Sequence, residues 1–470
     1  MWDVAVVGGG VAGLETAIRL RAAGLTVVVL EAREYMGGRV RTVQVGGYDV
    51  DLGAAWVHGT EGNVMREYVG DEDLICVAPR NPWMQPDVSV AYVVRKGRRL
   101  SPLSVAEGDI IFEERVRAVQ AAALCASDGD VSAVAAFVAA RGVEVSNPDA
   151  ELYAEWREWM LQCWMGAPLH DLALHEFEDV DDVGDFPGPH AVVAGGMHRL
   201  VRRQLEVLGV AASPATDPRA ASDGGLRVST GSVVRRVSML GDGGVAVETA
   251  AGVAHRARSV VVTVPPPTVG RMEFSPPLPA ATALAADKTR LGSYRKVVLA
   301  FGTDSHGFTA AMGRVRAPFL GVVGDDVVCP LFVNYYFIKK LPVVVATLVG
   351  SRFARVATLS DAEGVCVCVF VGLSAAVGHD VGEPESSLVT HWEDDPDAMG
   401  AYSYPVVGSG EGVIADLCKP LTHPDTGVNT VFFAGEATDA ANQGTVVAAI
   451  LSGRRAAAEV LSENARRARL

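Results

Sequence analysis

The residues with the clearest chemical promise lie near the start of the chain. Gly8, Gly10 and Gly13 have the spacing G-x-G-x-x-G directly after an apolar run at residues 4–7, a pattern that can hold a pyrophosphate. Gly8 permits a tight turn, Gly10 lets backbone approach the phosphates, and Gly13 lets a helix pack on the preceding strand. The helix N-terminus then aims N–H donors at the anion. Glu31 closes a second apolar run about 20 residues on, where a carboxylate accepts hydrogen bonds from an adenosine ribose. An acid there favours the unphosphorylated ribose of FAD or NAD over that of NADP. A second candidate is Lys296, in Tyr294-Arg295-Lys296-Val297-Val298-Leu299-Ala300-Phe301. Strand alternation puts it on one face with Val298 and Ala300, so an ammonium projects from an otherwise apolar face. The plain alternative is a solvated strand lysine, with Arg295 beside it. The third group is acidic: Glu176, Glu178, Asp179, Asp181, Asp182 and Asp185, either a solvated face or a cation-gathering mouth.

These groups need elements to position them. Residues 2–7, 14–23 and 26–30 read as strand, helix and strand around the glycine turn. Residues 431–438 form an apolar strand leading into a turn, and a helix opens at Gly444-Thr445-Val446 and runs on through Gly453. Between these ends, residues 226–237, 245–249 and 259–264 alternate like antiparallel strands, with a surface loop at 211–225 and a helix after Ala191–Met197. Helical stretches are expected at 112–124, 131–140 and 152–165, strands at 294–301, 331–336 and 343–348, and a helix near Ser360.

The 470 residues are long enough for two or three domains, and 49% hydrophobic side chains exclude a mainly disordered chain. With 41 basic and 56 acidic residues, a net charge of −15 disfavours nucleic acid and favours a small cationic partner. The 7 cysteines show no paired C-x-x-C pattern, so neither a disulfide framework nor a metal site is expected, and a reducing compartment fits. The apolar runs are shorter than a membrane helix requires and no secretory leader is visible at Met1, so a soluble chain, a monomer or weak homo-oligomer without membrane association, is expected.

Glu31-Ala32-Arg33 with Gly37-Gly38-Arg39-Val40-Arg41-Thr42 resembles the second signature of the flavin-dependent amine oxidase superfamily. Asp51-Leu52-Gly53-Ala54-Ala55-Trp56-Val57-His58-Gly59 resembles the stretch that runs along the flavin ring in its polyamine oxidase and spermine oxidase branch, peroxisomal type. Ala434-Gly435-Glu436 and Gly444-Thr445-Val446 match the pair that closes the flavin site from the far end of the chain. The resemblance implies an α/β fold: a Rossmann-like, glutathione-reductase-like and discontinuous FAD-binding domain (1–75, 190–275 and 405–470), and an α+β substrate-binding domain (76–189 and 276–404).

The same resemblance assigns roles. Gly8, Gly10, Gly13, Glu31, Arg33 and Arg39 would serve the nucleotide, and Val233 the adenine through its backbone. Gly53, Ala54, Ala55, Trp56, Trp392, Gly435, Glu436, Thr445 and Val446 would surround the flavin. Lys296 would hold a water at the flavin, Tyr402 would wall the amine, and His58 would stand by the substrate tunnel. Trp56, His58, Tyr402 and Thr445 are the implied substrate contacts. Ala401 stands where monoamine oxidases carry a flavin-linked cysteine, so FAD is expected to be noncovalent. Thr445 stands where they carry a second aromatic, so the cage is one-sided.

The implied activity is oxidation of a secondary amine of spermine, spermidine or an acetylated polyamine by O2, giving an aminoaldehyde, a shorter amine and H2O2. A monoamine or L-amino-acid oxidase shares most of these motifs, although no arginine for an amino-acid carboxylate can be placed. A histone demethylase lacks support, since no long helical insertion is visible, and a flavin-binding scaffold without turnover is the rival from another class. Ala468-Arg469-Leu470 resembles a peroxisomal address; otherwise a cytoplasmic location is expected.

Overall fold

The computed structural model describes all residues except 80–90, 126–131, 142–145, 175–185, 211–221, 224, 325–326, 405, 408–411 and 470. The acidic run at 176–185, most of the 211–225 loop and Leu470 of the terminal tripeptide lie outside the described residues.

The strand Trp2–Val7, the helix Val11–Ala22 and the strand Val27–Leu30 follow one another around the glycine turn. Trp2–Val7 pairs in parallel with Val27–Leu30 on one side and with Ala254–Val262 on the other. Leu226–Ser229 extends the sheet in parallel beyond Val27–Leu30, and Asn429–Phe433 does so beyond Ala254–Val262. The unbroken apolar runs have a physical reason, because both faces of this sheet are covered. Val4, Val6, Val27 and Val29 pack with Leu14, Ile18 and Ile450 on one face, while Ala5, Val7, Val28 and Leu30 pack with Val260 and Phe433 on the other.

Segments from both ends of the chain meet in this sheet and in one helix pair. The helix Val446–Arg467 crosses Val11–Ala22 so closely that a Cβ on Gly453 would lie 2.6 Å from the Ala12 carbonyl oxygen. Around that crossing the buried Glu15 carboxylate accepts from Arg19 and Arg454, each at 2.8 Å, and from the Tyr68 hydroxyl. Removing one partner from such a buried charge leaves the other uncompensated, so the cluster fixes the pairing of the two helices.

A second sheet has seven strands in the order Ser386–Val389, Tyr294–Ala300, Val343–Val349, Leu331–Asn334, Phe319–Val322, Ala91–Arg95 and Arg98–Arg99. The helices Pro102–Cys125, Ala133–Ala140 and Pro148–Met165 share a core built on Phe112, Val116, Phe137 and Leu161. No helix among the described residues is long and apolar enough to cross a membrane.

Two expectations about elements are corrected. Residues 226–237 are not one antiparallel strand: Leu226–Ser229 runs parallel to Val27–Leu30, and a new strand, Val234–Met239, starts after a break. Gly231 makes the break with φ +60°, and its N–H and that of Ser232 donate to the carbonyls of Arg33 and Glu31, tying this turn to the nucleotide motif. The run 331–336 also divides, because the Asn334 side chain accepts from the Phe337 N–H at 3.2 Å and starts the single-turn helix Tyr335–Ile338.

Candidate active site

The C-terminal end of Trp2–Val7 opens into a cavity of about 340 Å³. Strands with parallel neighbours on both sides leave such a crevice at their carboxyl ends. Gly8 turns the chain there with φ +107°, and a Cβ on it would lie 2.6 Å from the Thr263 hydroxyl oxygen. Gly13 does not reach the cavity; its Cβ would lie 2.0 Å from the Gly8 carbonyl oxygen, so its hydrogen is what lets the helix seat on the strand. Gly10 is different. It is the N-cap of Val11–Ala22, has no side-chain cap, and a Cβ built on it would meet nothing within 4 Å. Backbone N–H groups and a positive helix end therefore face open space, a cradle suited to a dinucleotide pyrophosphate.

Glu31 stands at the edge of that cradle. Its carboxylate accepts from the Gly9 N–H at 2.6 Å and from the Arg33 N–H at 2.9 Å. Burial pushes its pKa up, and those two donors oppose the shift. Arg33 is held at 2.9 Å from Asp395, and Val233 reaches the cavity from the turn fixed by Gly231. Deeper in, Arg39 donates to the Glu436 carboxylate at 2.8 Å and to the Ala401 carbonyl at 3.0 Å. Glu436 also accepts from the Ser403 hydroxyl at 2.6 Å and the Gly444 N–H at 3.0 Å. Thus the acid expected near the flavin is also the clamp joining residues 39, 403 and 444. Thr445 caps the helix Val446–Arg467, accepting from the Ala448 N–H at 3.0 Å and donating to the Asn442 carbonyl at 2.7 Å.

The other end of the cavity is built from side chains. Lys296 is half-buried there, and its Nζ donates to the carbonyls of Gly53 at 2.6 Å and Asp51 at 3.0 Å. Burial lowers its pKa to about 8, with Asp51 opposing and Lys339 reinforcing the shift. It is therefore not a solvated strand lysine. Its neighbour Arg295 points to the opposite face and pairs with Glu393. Gly53 has to be glycine, because a Cβ would lie 1.7 Å from the Arg39 carbonyl oxygen. The Tyr402 hydroxyl donates to the Cys163 carbonyl at 2.6 Å, and its ring lies 5.9 Å from that of Tyr294. Trp392 donates through Nε1 to the Leu52 carbonyl at 3.1 Å, and Trp56 stacks on Phe319 with centroids 5.6 Å apart.

His58 meets the edge of Trp164 at 4.8 Å, and its Nδ1 lies 3.3 Å from Nδ1 of His190. Burial, and for His58 also the neighbouring His190, depresses both pKa values, to about 3 for His58 and about 4 for His190. The pair is neutral near pH 7. The three carboxylates lining the cavity, Glu31, Asp397 and Glu436, do not touch this end by any hydrogen bond seen among the described residues. The wall made by Trp56, Trp164, Tyr294 and Tyr402 is thus neutral and aromatic.

Every residue assigned from sequence to the cofactor, the reaction or the substrate lines this cavity except Gly13, while the acidic run at 176–185 lies outside the described residues. Sequence reasoning missed Cys163, Trp164 and Met165 at the end of Pro148–Met165, and also Tyr294 and Ser403. Period-two alternation from Lys296 would have found Tyr294; nothing in the helical pattern singles out Trp164.

Comparisons with known proteins agree with this geometry. Residues 11–461 match the family model described as flavin containing amine oxidoreductase. Polyamine oxidase 4 of Oryza sativa subsp. japonica is 26% identical over 97% of this chain and 88% of its own length. Lysine-specific histone demethylase 2 of Homo sapiens is 25% identical over 97% of this chain but only 53% of its own length. A putrescine oxidase structure with bound putrescine superposes with a TM-score of 0.73, covering 98% of this chain and 99% of that one at 21% identity, which shows the shared fold. The uncapped helix end, the space above Gly10 and the Glu31 carboxylate fit FAD. This chain belongs to the flavin containing amine oxidoreductase family and is an amine oxidase whose cofactor is FAD.

Proposed function

We propose that the enzyme is a polyamine oxidase that acts on a secondary amine of spermine, spermidine or an acetylated polyamine. The amine, O2 and water become an aminoaldehyde, a shorter amine and H2O2. The observation that carries this reading is a single cavity joining the phosphate-ready end of Val11–Ala22 to an aromatic, anion-free end that holds Lys296 and Tyr402. The net charge of −15 and the match along most of the rice polyamine oxidase support the cationic substrate.

When bound, FAD supplies the acceptor for two electrons and a proton from the carbon beside nitrogen. The chain's own residues do the rest. Gly10 and the helix N-terminus hold the pyrophosphate, with Arg39 as counter-charge, Glu31 takes the adenosine ribose, and the Val233 backbone takes the adenine. With Ala401 ahead of Tyr402, no thiol is offered there for a covalent link, so FAD is held noncovalently. Trp56, Tyr294 and Tyr402 align the substrate's C–H and exclude water. Because this wall carries no anion, it favours the neutral amine, the form whose lone pair assists oxidation. Lys296 holds a water by its remaining N–H donor. We assign residues 1–75, 190–275 and 405–470 to the cofactor and 76–189 and 276–404 to the substrate.

Anaerobic mixing with spermine, N-acetylspermine, tyramine and leucine tests the reading, with mass spectrometry of the products after air is admitted. Rapid bleaching by the polyamines with little response to tyramine or leucine is expected. Faster bleaching by tyramine or leucine would replace it with a monoamine or amino-acid oxidase, and no bleaching by any of them would overturn the polyamine reading.

A further inference from the structure

Behind Lys296 lies a buried charge cluster that the proposed reaction does not use. Asp51 ends the strand Tyr48–Asp51 and is 1% exposed. One carboxylate oxygen, Oδ1, accepts from the Thr42 hydroxyl at 2.5 Å and the Met197 N–H at 2.8 Å. The other, Oδ2, is buried and accepts no hydrogen bond from any described residue. A buried carboxylate oxygen left without a donor is costly, and an ionised one requires nearby positive charge. Two half-buried lysines supply that charge. Lys296 comes from Tyr294–Ala300, and its Nζ already donates to the Asp51 backbone carbonyl. Lys339 follows the helix Tyr335–Ile338, and its Nζ donates to the Val193 carbonyl at 3.0 Å and stands 4.9 Å from the centre of the Tyr335 ring.

We propose that Asp51 is a positioning residue for Lys296: its carboxylate is the counter-charge that keeps an ammonium at Nζ, directed onto the carbonyls of residues 51 and 53, while Lys339 sets the upper limit of that positive charge. The inference rests on the reading that Lys296 works beside the bound flavin. Other charged or titratable groups around Asp51 and the lysines are His198 at the start of His198–Val207, Tyr335, and Asp49, which acts on Lys339. Tyr294 is the titratable group two residues from Lys296 on the same strand face, and burial raises its pKa, so it stays protonated and neutral. Neither His198 nor Tyr335 carries the compensating negative charge that two half-buried ammonium groups require, and Asp49 acts on Lys339 but not on Lys296. Burial works against the charged form of Lys296 and of Asp51 alike; at Lys296 the main group opposing it is Asp51, whereas Asp51 is supported first by Lys339, then by the Thr42 and Met197 donors, and last by Lys296.

The test reads the ionisation of Lys296 from the visible spectrum of the bound flavin against pH, without turnover. Native protein should show one ionisation near pH 8, absent in Lys296→Met. Asp51→Asn, which keeps an acceptor for Thr42, should raise the acid dissociation constant about tenfold or more, moving the ionisation to lower pH. Lys339→Met should move it several-fold in the opposite direction, and if purified Asp51→Asn has lost FAD the ionisation is read after reconstitution with added FAD. An ionisation that disappears in Lys296→Met but is unmoved by Asp51→Asn and Lys339→Met overturns the inference while leaving Lys296 beside the flavin. An ionisation missing from native protein, or surviving in Lys296→Met, overturns both.

Discussion

The two ends of the cavity are made in different ways. The nucleotide end is backbone: a glycine turn, a helix N-terminus and one acid, all within residues 8–31. The reaction end is side chain, with Lys296, Tyr402, Trp164 and His58 arriving from four separate segments. Backbone recognition demands the absence of side chains, so it tolerates almost no substitution. Side-chain recognition depends on which tertiary neighbours face the cavity, so single changes there should alter chemistry before they alter cofactor binding.

The harshest way to break this contrast is Gly13→Val. With a Cβ facing the Gly8 carbonyl at 2.0 Å, the helix cannot seat on its strand, and the purified protein should be colourless. Flavin absorbance per mole of protein checks it; a fully yellow variant would mean that the backbone cradle is dispensable.

At the other end, Lys296→Met should keep the yellow colour while slowing flavin reduction or reoxidation by roughly 10²-fold. Stopped-flow rates for both half-reactions decide this, and unchanged rates in both would remove Lys296 from the chemistry.

The buried His58 and His190 pair gives a third, pH-dependent effect. Both groups titrate below the ordinary histidine value of 6.5, so the unfolded chain binds more protons than the native one from about pH 6.5 down to about 4 for His190 and about 3 for His58. The stability they contribute is complete above that window and is lost as pH falls through it. Thermal midpoints of the holoenzyme between pH 7 and 4 should fall, and His58→Asn should flatten the fall. An equally steep decline in the variant would show that other groups cause it.

The smallest expected effect is for Thr445→Ala, which removes a helix cap and should cost about 1 kcal/mol of stability with FAD retained. Urea unfolding of the holoenzyme measures it, and loss of the flavin instead would mean that Thr445 belongs to the cofactor cradle.

Legibility followed the same division. The roles of Gly8, Gly10 and Glu31 can be read from spacing because their interactions are local and repeat wherever a strand, turn and helix meet a phosphate. Lys296 was legible because a charge on an apolar strand face is conspicuous, and the structure places its two faces in different cores, Val298 with one and Val297 with the other. Trp164 was not legible, since an aromatic in an apolar helical pattern reads as core. The 226–237 run was misread for a related reason: alternation shows that strands exist but not where a positive-φ glycine divides them.

By itself, then, the sequence determined a dinucleotide site, its pyrophosphate turn and the elements that flank it, because those depend on backbone freedom and short-range periodicity. Only the tertiary structure decided that Glu436 clamps Arg39 to Ser403, that His58 meets His190, and that Lys296 reaches the backbone carbonyl of Asp51. Those contacts join residues far apart in the chain, and their energies exist only once packing has excluded water and brought the charges close enough to act on one another.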